Sequence, residues 1–248
     1  YVDAYYNLAN TLQEQSDFNS AIFSYQQAIN LKPDFFNAHN NLGLALQDQG
    51  NLNSAISSYQ QAIKLKPDFA EAHYNLGNTL QEQCYLNAAI SSYQQALKYQ
   101  PHYPSAHYNL ALAFLLNGDY KQGLRKYEYR FKKTKPPVRP HSSPPIPQWQ
   151  GEKLDPKDRL LVVSEQGLGD TIHFMRYIPF LRLQGIDVSF CAQTKLHDLI
   201  KSSGIASNPL TPEQGNNFQE GNFVPLLSVP KFLDITPSNP VVTHPYIY

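Results

Sequence analysis

The sequence has few cysteines, no net charge and no long apolar run. Its two cysteines, Cys84 and Cys191, lie in different parts of the chain, which suggests a reducing compartment. Twenty basic residues balance twenty acidic ones and no basic stripe follows the predicted helices, which argues against binding to nucleic acid. No apolar run can span a bilayer and no signal peptide is recognisable, so we expect a cytoplasmic protein without a membrane span.

The composition of the chain is typical of a globular protein, since 42% of its residues are hydrophobic and 12% are aromatic. A length of 248 residues suits two domains of ordinary size, each with its own core. We predict repeats over residues 1–134, a proline-rich extended connector over 135–157 and a second domain over 158–248. One short basic run near the boundary is interpreted as a solvated linker face. It consists of Arg130, Lys132, Lys133, Lys135 and Arg139.

A 34-residue period organises the first domain. Leucine, tyrosine and small residues recur in four columns at that spacing, which predicts units of two antiparallel helices with small residues where the helices approach closely. Pro33, Pro67 and Pro101 should follow the end of each second helix, because proline lacks the amide hydrogen that a continuing helix needs. The columns are Leu8, Leu42, Leu76 and Leu110; Ala9, Gly43, Gly77 and Ala111; Ala21, Ala55, Ala89 and Gly123; and Tyr25, Tyr59, Tyr93 and Tyr127.

The columns resemble the tetratricopeptide consensus, which implies an α superhelix of stacked units over about residues 2–35, 36–69, 70–103 and 104–134. Gly50 and Gly118 hold the turn position of that consensus, whereas Ser16 and Cys84 replace the glycine in the other two units. Those two turns should therefore be slightly less favourable. Tyr1 stands at the last position of a unit, so we expect a longer array before it or a homo-oligomer formed by end-to-end stacking of repeats.

First helices of tetratricopeptide units line a concave groove that usually holds a protein or peptide partner. A column of asparagines falls on these helices: Asn7, Asn41, Asn75 and Asn109. A carboxamide both donates and accepts, so the column can pair with the backbone of an extended peptide. It resembles the asparagine ladder of O-linked N-acetylglucosamine transferase. The alternative is that asparagine is common at this position and bonds within or between helices, and both interpretations stay open.

Two further features bear on the groove. His39, His73 and His107 form a column that we interpret as packing histidines and not as metal ligands, because a whole repeat separates them. The groove also looks rich in glutamine and asparagine and poor in charge, so an acidic C-terminal peptide is not the expected guest. No metal site and no cofactor are predicted in this chain.

The second domain changes to short apolar runs alternating with helices. We predict strands at 159–164 and 186–191 and helices at 170–183 and 196–203, with a further short strand at 223–229. This β-α-β-α order is typical of a parallel doubly wound, Rossmann-like sheet, here incomplete. Ligands of such sheets gather at the carboxyl ends of the strands, so the loop at 165–170 is the expected site.

That loop reads EQGLGD and is followed by Thr171. Gly167 and Gly169 are expected to let the backbone turn tightly, and Asp170 and Thr171 to open the next helix. From this local pattern Asp170 is either a helix cap or a catalytic carboxylate.

The stretch RLLVVSEQGLGDTIHFMRYIPFLRLQGIDVSF resembles the first strand, loop and helix of heptosyltransferase-like glycosyltransferases, and bacterial proteins that join tetratricopeptide repeats to such a domain are similar over nearly the whole chain. The resemblance implies that Asp170 is the base that activates an acceptor hydroxyl, with Gly167, Gly169 and Thr171 in the substrate pocket. A nucleotide sugar would be the donor if a second lobe exists. Without that lobe the chain should be inactive alone, and the alternative is a non-catalytic interaction scaffold.

Overall fold

The structure is a computed structural model that describes residues 1–132, 138–155, 158–233, 235 and 240–241. The chain divides into two compact units, Tyr1–Tyr129 and Arg130–Tyr248. Helices of the first unit pack as four successive antiparallel pairs. They are α1 Val2–Glu14 and α2 Phe18–Leu31, α3 Phe36–Asp48 and α4 Leu52–Leu65, α5 Ala70–Glu82 and α6 Leu86–Tyr99, and α7 Pro104–Leu116 and α8 Tyr120–Tyr127; a 3-10 turn follows at Glu128–Lys132.

The turn inside each helix pair uses a left-handed backbone residue. Gly50 and Gly118 have φ of 84°, and the non-glycine residues Ser16 and Cys84 adopt φ of 62° and 61° at the same position. Ser16 and Cys84 thus adopt the left-handed conformation that glycine holds in the other two turns, and the predicted energetic cost of these turns stays a prediction. Asp17, just after the first of these turns, accepts a hydrogen bond from the Ser20 amide at 3.2 Å and so caps α2.

The core of the first unit follows the predicted columns, except that Leu8 of the leucine column is 49% exposed. The tyrosines of repeats one to three, Tyr25, Tyr59 and Tyr93, are fully buried. A Cβ added to Gly43 would lie 2.6 Å from the Tyr59 ring, and one added to Gly77 would lie 2.7 Å from the Tyr93 ring. The small residues therefore stand where the paired helices meet, as the spacing predicts.

Polar side chains tie each repeat to the next. The histidine column is hydrogen-bonded, because the Nε2 atoms of His39, His73 and His107 each lie 3.0 Å from a proline carbonyl oxygen six residues earlier. A ladder of carboxamides runs beside the turns, and its three rungs cross between neighbouring repeats. In it Gln49 donates to Asn19 at 2.6 Å, Gln83 to Asn53 at 2.9 Å and Asn117 to Asn87 at 3.2 Å.

The second unit holds a parallel sheet whose described strands number three, in the order β2-β1-β3. In β1 the residues from Leu160 to Val163 are all buried, since neighbours flank them on both edges. The sheet is small, and a Rossmann-like lobe is not confirmed. The elements are β1 Arg159–Val163, α9 Leu168–Phe174, α10 Tyr177–Leu183, β2 Asp187–Cys191, α11 His197–Ser202, α12 Pro212–Asn216, β3 Asn222–Pro225 and α13 Val229–Phe232, with 3-10 turns at Thr194–Leu196 and Leu226–Ser228.

Two elements of this unit differ from the prediction. The single helix predicted over 170–183 is two helices, broken at Met175 and Arg176. Pro179 explains the break, because its ring would clash with the Met175 carbonyl in a continuous helix, whereas it is tolerated in the first turn of α10. The strand predicted over 223–229 ends at Pro225. The Leu227 amide is drawn away from strand pairing because it donates to the Glu165 carboxylate at 3.0 Å.

The described part of the connector lies along the sheet. Phe223 in β3 donates its amide to the Pro147 carbonyl at 3.0 Å, and the Trp149 amide donates to the Phe223 carbonyl at 2.8 Å. The Trp149 side chain is 5% exposed and packs on Phe232 with ring centroids 4.8 Å apart. Residues 133–137 and 156–157 of the predicted connector, including Lys133 and Lys135, lie outside the described residues. Across the described parts of the chain, no helix is both long and apolar enough to cross a membrane.

Candidate functional site

One face of the first helices carries a regular set of polar side chains, which we name the groove face. Residues at i, i+4, i+7 and i+11 share a helix face because eleven residues make close to three turns. Gln13 donates to Asp48 at 3.1 Å and Gln47 to Glu82 at 3.3 Å, so these faces lie side by side on the first helices of neighbouring repeats. The groove face comprises Asp3, Asn7, Asn10 and Glu14; Asn37, Asn41, Leu44 and Asp48; Glu71, Asn75, Asn78 and Glu82; and Ser105, Asn109, Leu112 and Leu116.

A cavity of about 340 Å³ opens on this face where three repeats meet. Leu116 gives it an apolar wall and is 65% exposed. The other walls are polar, and one of them carries the carboxylate of Glu82. The lining residues are Gln47 from the second repeat, Asn78, Gln81, Glu82 and Tyr93 from the third, and Asn109 and Leu116 from the fourth.

Hydrogen bonds fix the floor of this cavity. The Tyr93 hydroxyl lies 2.9 Å from Asn78 Oδ1 and 3.1 Å from Gln81 Oε1, and Asn109 Nδ2 donates to the same Asn78 oxygen at 2.8 Å. Burial raises the pKa of Tyr93 above its ordinary value, so its hydroxyl stays protonated and available as a donor. The carboxamides are thereby held in one orientation before any ligand binds.

The asparagine column links repeats to one another. Asn75 is 6% exposed, whereas Asn7 on the first helix is exposed. This geometry matches the alternative in which the column bonds between helices, and its peptide-binding role stays a prediction. Asn41 Nδ2 donates to the Tyr6 hydroxyl at 3.0 Å and to Asn10 Oδ1 at 3.1 Å, Asn75 Nδ2 to Asn40 Oδ1 at 3.1 Å, and Asn109 Nδ2 to the Tyr74 hydroxyl at 3.1 Å.

The chemistry of the groove face alternates along the array. Asn10 and Asn78 stand in the first and third repeats where Leu44 and Leu112 stand in the second and fourth. The Tyr25 hydroxyl accordingly lies 2.7 Å from Asn10 Oδ1, as Tyr93 lies close to Asn78. In the second repeat the leucine offers no such acceptor.

The second unit has a cavity of about 480 Å³ at the carboxyl ends of β1 and β2. This is the end of a parallel sheet where ligands are expected. Gly167 lines it, whereas the other three site residues that the resemblance implies, Gly169, Asp170 and Thr171, are not among its lining residues. Its lining consists of His141, Gln166, Gly167, Leu168, Gln193, Thr194, Lys195 and Pro212.

The other three predicted site residues, Gly169, Asp170 and Thr171, belong to the first turn of α9. Asp170 Oδ2 accepts a hydrogen bond from the Gly167 amide at 3.1 Å, which caps the helix. Thr171 is fully buried and its hydroxyl donates to Gln193 Oε1 at 2.9 Å. Gly169 lies within α9, and a Cβ there would meet nothing within 4 Å. The left-handed residue of the loop is Gln166, with φ of 61°, so the expectation that the glycines make the tight turn is wrong.

Glu165 of the same loop is committed to a buried ion pair. The Arg130 guanidinium donates to both of its oxygens, at 2.9 Å from Nε and 2.8 Å from Nη2, and neither side chain has exposed surface. The Arg130 guanidinium also donates to Ser228 Oγ at 2.7 Å. The interpretation of Arg130 as part of a solvated linker face is therefore wrong, because its side chain is fully buried and donates to the buried Glu165 and Ser228.

Sequence analysis missed two sets of residues. The acidic column Glu14, Asp48 and Glu82 has the 34-residue spacing of the other columns, and that spacing was the available signal. The groove was interpreted as poor in charge, but its face carries several carboxylates and lacks only positive charge. Gln193 and Lys195 line the cavity of the second unit just after β2, where the rule for parallel sheets would have placed them.

Comparison with known families bears on the repeats. A family profile described as a TPR repeat matches residues 13–50, 45–83 and 86–118. These repeats are tetratricopeptide repeats. Curated proteins give no match to the chain.

Several solved structures share the repeat fold. The crystal structure of MamA protein has 27% sequence identity and a TM-score of 0.50, covering 53% of this chain and 72% of that chain. MamA 41-end from Desulfovibrio magneticus RS-1 has 20% identity and a TM-score of 0.50, with coverage of 53% and 75%. The first TPR of Spaghetti (RPAP3) bound to the HSP90 peptide SRMEEVD has 18% identity and a TM-score of 0.45, with coverage of 46% and 90%. None of these likenesses supports the glycosyltransferase resemblance.

Proposed function

We propose that the tetratricopeptide repeats form a protein-interaction scaffold whose groove face binds a peptide segment of a partner protein. The observation that carries the proposal is the cavity on this face, which residues of three successive repeats enclose with carboxamides, a hydroxyl, a carboxylate and one exposed leucine. Such a mixture of polar groups and apolar wall is typical of a site for peptide side chains.

The scaffold is held in one arrangement before binding. The carboxamide ladder and the asparagine column bridge neighbouring repeats at 2.6 to 3.2 Å, and the hydroxyl of Tyr93 orients two groups of the cavity floor. Preorganisation lowers the ordering cost of association, so affinity for a short segment does not require a large interface.

A peptide selection tests this function. Peptides selected from a random phage-displayed library against the whole protein are synthesised, and their affinities are measured by isothermal titration calorimetry. The Leu116→Trp variant replaces the leucine of the cavity wall by a bulkier indole. It should weaken peptide binding about tenfold or more, which is the usual effect of losing a contact at the centre of an interface. Leu31→Trp is the matched control, because Leu31 is 55% exposed at the end of α2, away from the groove face.

If the groove is the site, Leu116→Trp should weaken peptide binding and Leu31→Trp should leave it unchanged. Equal weakening by both variants, or by neither, would show that the peptides bind elsewhere and would contradict the proposal. Circular dichroism melts of both variants check that neither substitution unfolds the repeats.

A glycosyltransferase-like activity of the second unit is the second candidate. The observation in its favour is the cavity of about 480 Å³ at the carboxyl ends of two parallel strands. On this proposal Asp170 leaves its bond to the Gly167 amide and accepts the acceptor's proton, and Gly167, Gly169 and Thr171 shape the substrate pocket. A nucleotide sugar is the donor on this proposal if a second lobe exists to bind it.

Radiolabelled nucleotide sugars test the second candidate through label transferred to acceptor or released as free sugar. Asp170→Asn should abolish turnover, and Asp155→Asn, outside the loop, should leave it unchanged. An unchanged rate in Asp170→Asn would remove the catalytic assignment. Because the chain alone is expected to be inactive, absence of turnover would remove the candidate only in a form of the protein that includes a donor-binding lobe.

A further inference from the structure

The first helices carry negative charge and no positive charge. No lysine or arginine occurs anywhere in α1, α3, α5 or α7. Five carboxylates lie on their groove face, and all five side chains are exposed. They are Asp3, Glu14, Asp48, Glu71 and Glu82. The field of this face is therefore anionic along the first three repeats.

The cations of the first unit lie elsewhere. Second helices carry Lys64, Lys98, Lys121, Arg125 and Lys126, and the turns after second helices carry Lys32 and Lys66. Lys32 lies over the Phe35 ring, at 5.2 Å from its centroid, and Lys66 over the Phe36 ring, at 4.7 Å. Within the described residues no ion pair joins a lysine or arginine to any of the five groove carboxylates. Among the described side chains, these carboxylates therefore have no cationic ion-pair partner.

The cavity adds a shape that suits a long cationic side chain. Glu82 Oε2 accepts from Gln47 at 3.3 Å, and its Oε1 has no hydrogen-bond partner among the described residues. Leu116 forms the facing apolar wall in the column position that Glu14, Asp48 and Glu82 hold in the other repeats. Lysine and arginine combine an apolar stem with a charged head, so the stem fits against Leu116 while the head reaches Glu82.

Buried groups beneath the groove face also sense its charge. Burial, which is the main cause, raises the pKa of Tyr25 to about 12, and the negative charge of Glu14 contributes in the same direction. Burial likewise raises the pKa of Tyr59, with contributions from Asp48 and Glu71. The negative charge of the groove carboxylates is thus felt by the buried tyrosines beneath the face.

We infer that the partner segment bound on the groove face is basic, with lysine or arginine side chains directed at the carboxylates of successive repeats. The inference rests on the proposed scaffold function and narrows its partner by charge complementarity. An acidic segment is disfavoured because it would meet five carboxylates and no compensating cation on the first helices.

Three labelled peptides of equal length test the inference by fluorescence anisotropy: alternating lysine and serine, alternating glutamine and serine, and alternating glutamate and serine. The lysine peptide should bind most tightly and weaken as salt is added. Glu14→Gln, Asp48→Asn and Glu82→Gln should each weaken it about 1.5- to 5-fold, and the triple variant roughly 3- to 100-fold. Asp68→Asn removes the same charge between α4 and α5, off the groove face, and should leave the affinity unchanged.

The outcomes separate this inference from the proposed function. Equal affinity for the glutamine and lysine peptides, no binding of the lysine peptide, or a triple variant that behaves like Asp68→Asn would each overturn the basic partner. The scaffold would then still be supported by library-selected peptides whose affinity falls in the Leu116→Trp variant. If Leu116→Trp weakens none of these peptides, the proposed function itself fails.

Discussion

The turn at Ser16 offers a direct measurement of what the missing glycine costs the array. Ser16 has φ of 62°, and Gly50 and Gly118 at the same position have φ of 84°. A Cβ built on Gly50 or Gly118 meets no atom within 4 Å, so the penalty for a side chain here is local to the backbone and not a clash with the core. A left-handed non-glycine residue costs about 1–2 kcal/mol.

The net effect of Ser16→Gly is smaller than that strain. Glycine also gives the unfolded chain more freedom, which lowers stability by about 0.4–1 kcal/mol. We therefore expect Ser16→Gly and Cys84→Gly each to raise the free energy of unfolding by about 0.5–1 kcal/mol. The reverse change, Gly50→Ser, should lower it by a similar amount.

Urea unfolding followed by circular dichroism measures all three variants, because the helices of the repeats dominate that signal. The reciprocal design controls for the serine side chain itself, since the same pair of residues is exchanged in opposite directions at equivalent turns. A loss of stability in Ser16→Gly, or no loss in Gly50→Ser, would refute the assignment of the strain to the left-handed backbone.

Three further outcomes are expected. Arg130→Met should lower the free energy of unfolding of the second unit by about 3–5 kcal/mol, because it leaves the buried Glu165 carboxylate without its cation. Unfolding is followed by the fluorescence of Trp149, the only tryptophan. Replacing both Arg130 and Glu165 by methionine should restore most of the lost stability. Asn75→Ala should cost about 1–3 kcal/mol in urea unfolding, since Asn40 is 1% exposed and loses its donor, whereas a matched change at an exposed asparagine should cost little. Burial raises the pKa of Cys191 to about 11, so near neutral pH a thiol reagent should titrate exposed Cys84 first and Cys191 only in denaturant.

The repeats were predictable because their contacts are local and recur. Tyr59 and Gly43 belong to one helix pair, and the same pair of columns gives Tyr93 and Gly77 one repeat later, so a single spacing specifies every such contact. The direction of the asparagine amides was not predictable. Asn75 donates to Asn40 in the neighbouring repeat. This direction depends on how adjacent repeats pack, which the spacing of one column of residues does not specify.

The second unit was less predictable because its decisive contacts join distant parts of the chain. The short strands β1 and β2 could be located from their apolar runs, but the partner of Arg130 is Glu165 and the next acceptor is Ser228. The available signal was that Arg130 stands in the column of the buried Ala28, Ala62 and Ala96, which indicates a buried position but does not identify its partners. The glycines of the loop were misleading for a related reason, since Gln166 takes the strained conformation while its neighbours hold the helix start.

The alternation of asparagine and leucine on the groove face sets how a bound segment can slide. Asn10 and Asn78 are separated by two repeats, with Leu44 between them. A segment displaced by one repeat would find a leucine where it had an amide, and only a displacement of two repeats would restore the same surroundings. The groove faces of repeats one and three therefore match closely, whereas repeats two and four differ from each other at Asp48 and Leu116. On the proposed scaffold function, a long partner would have few equivalent registers along the groove.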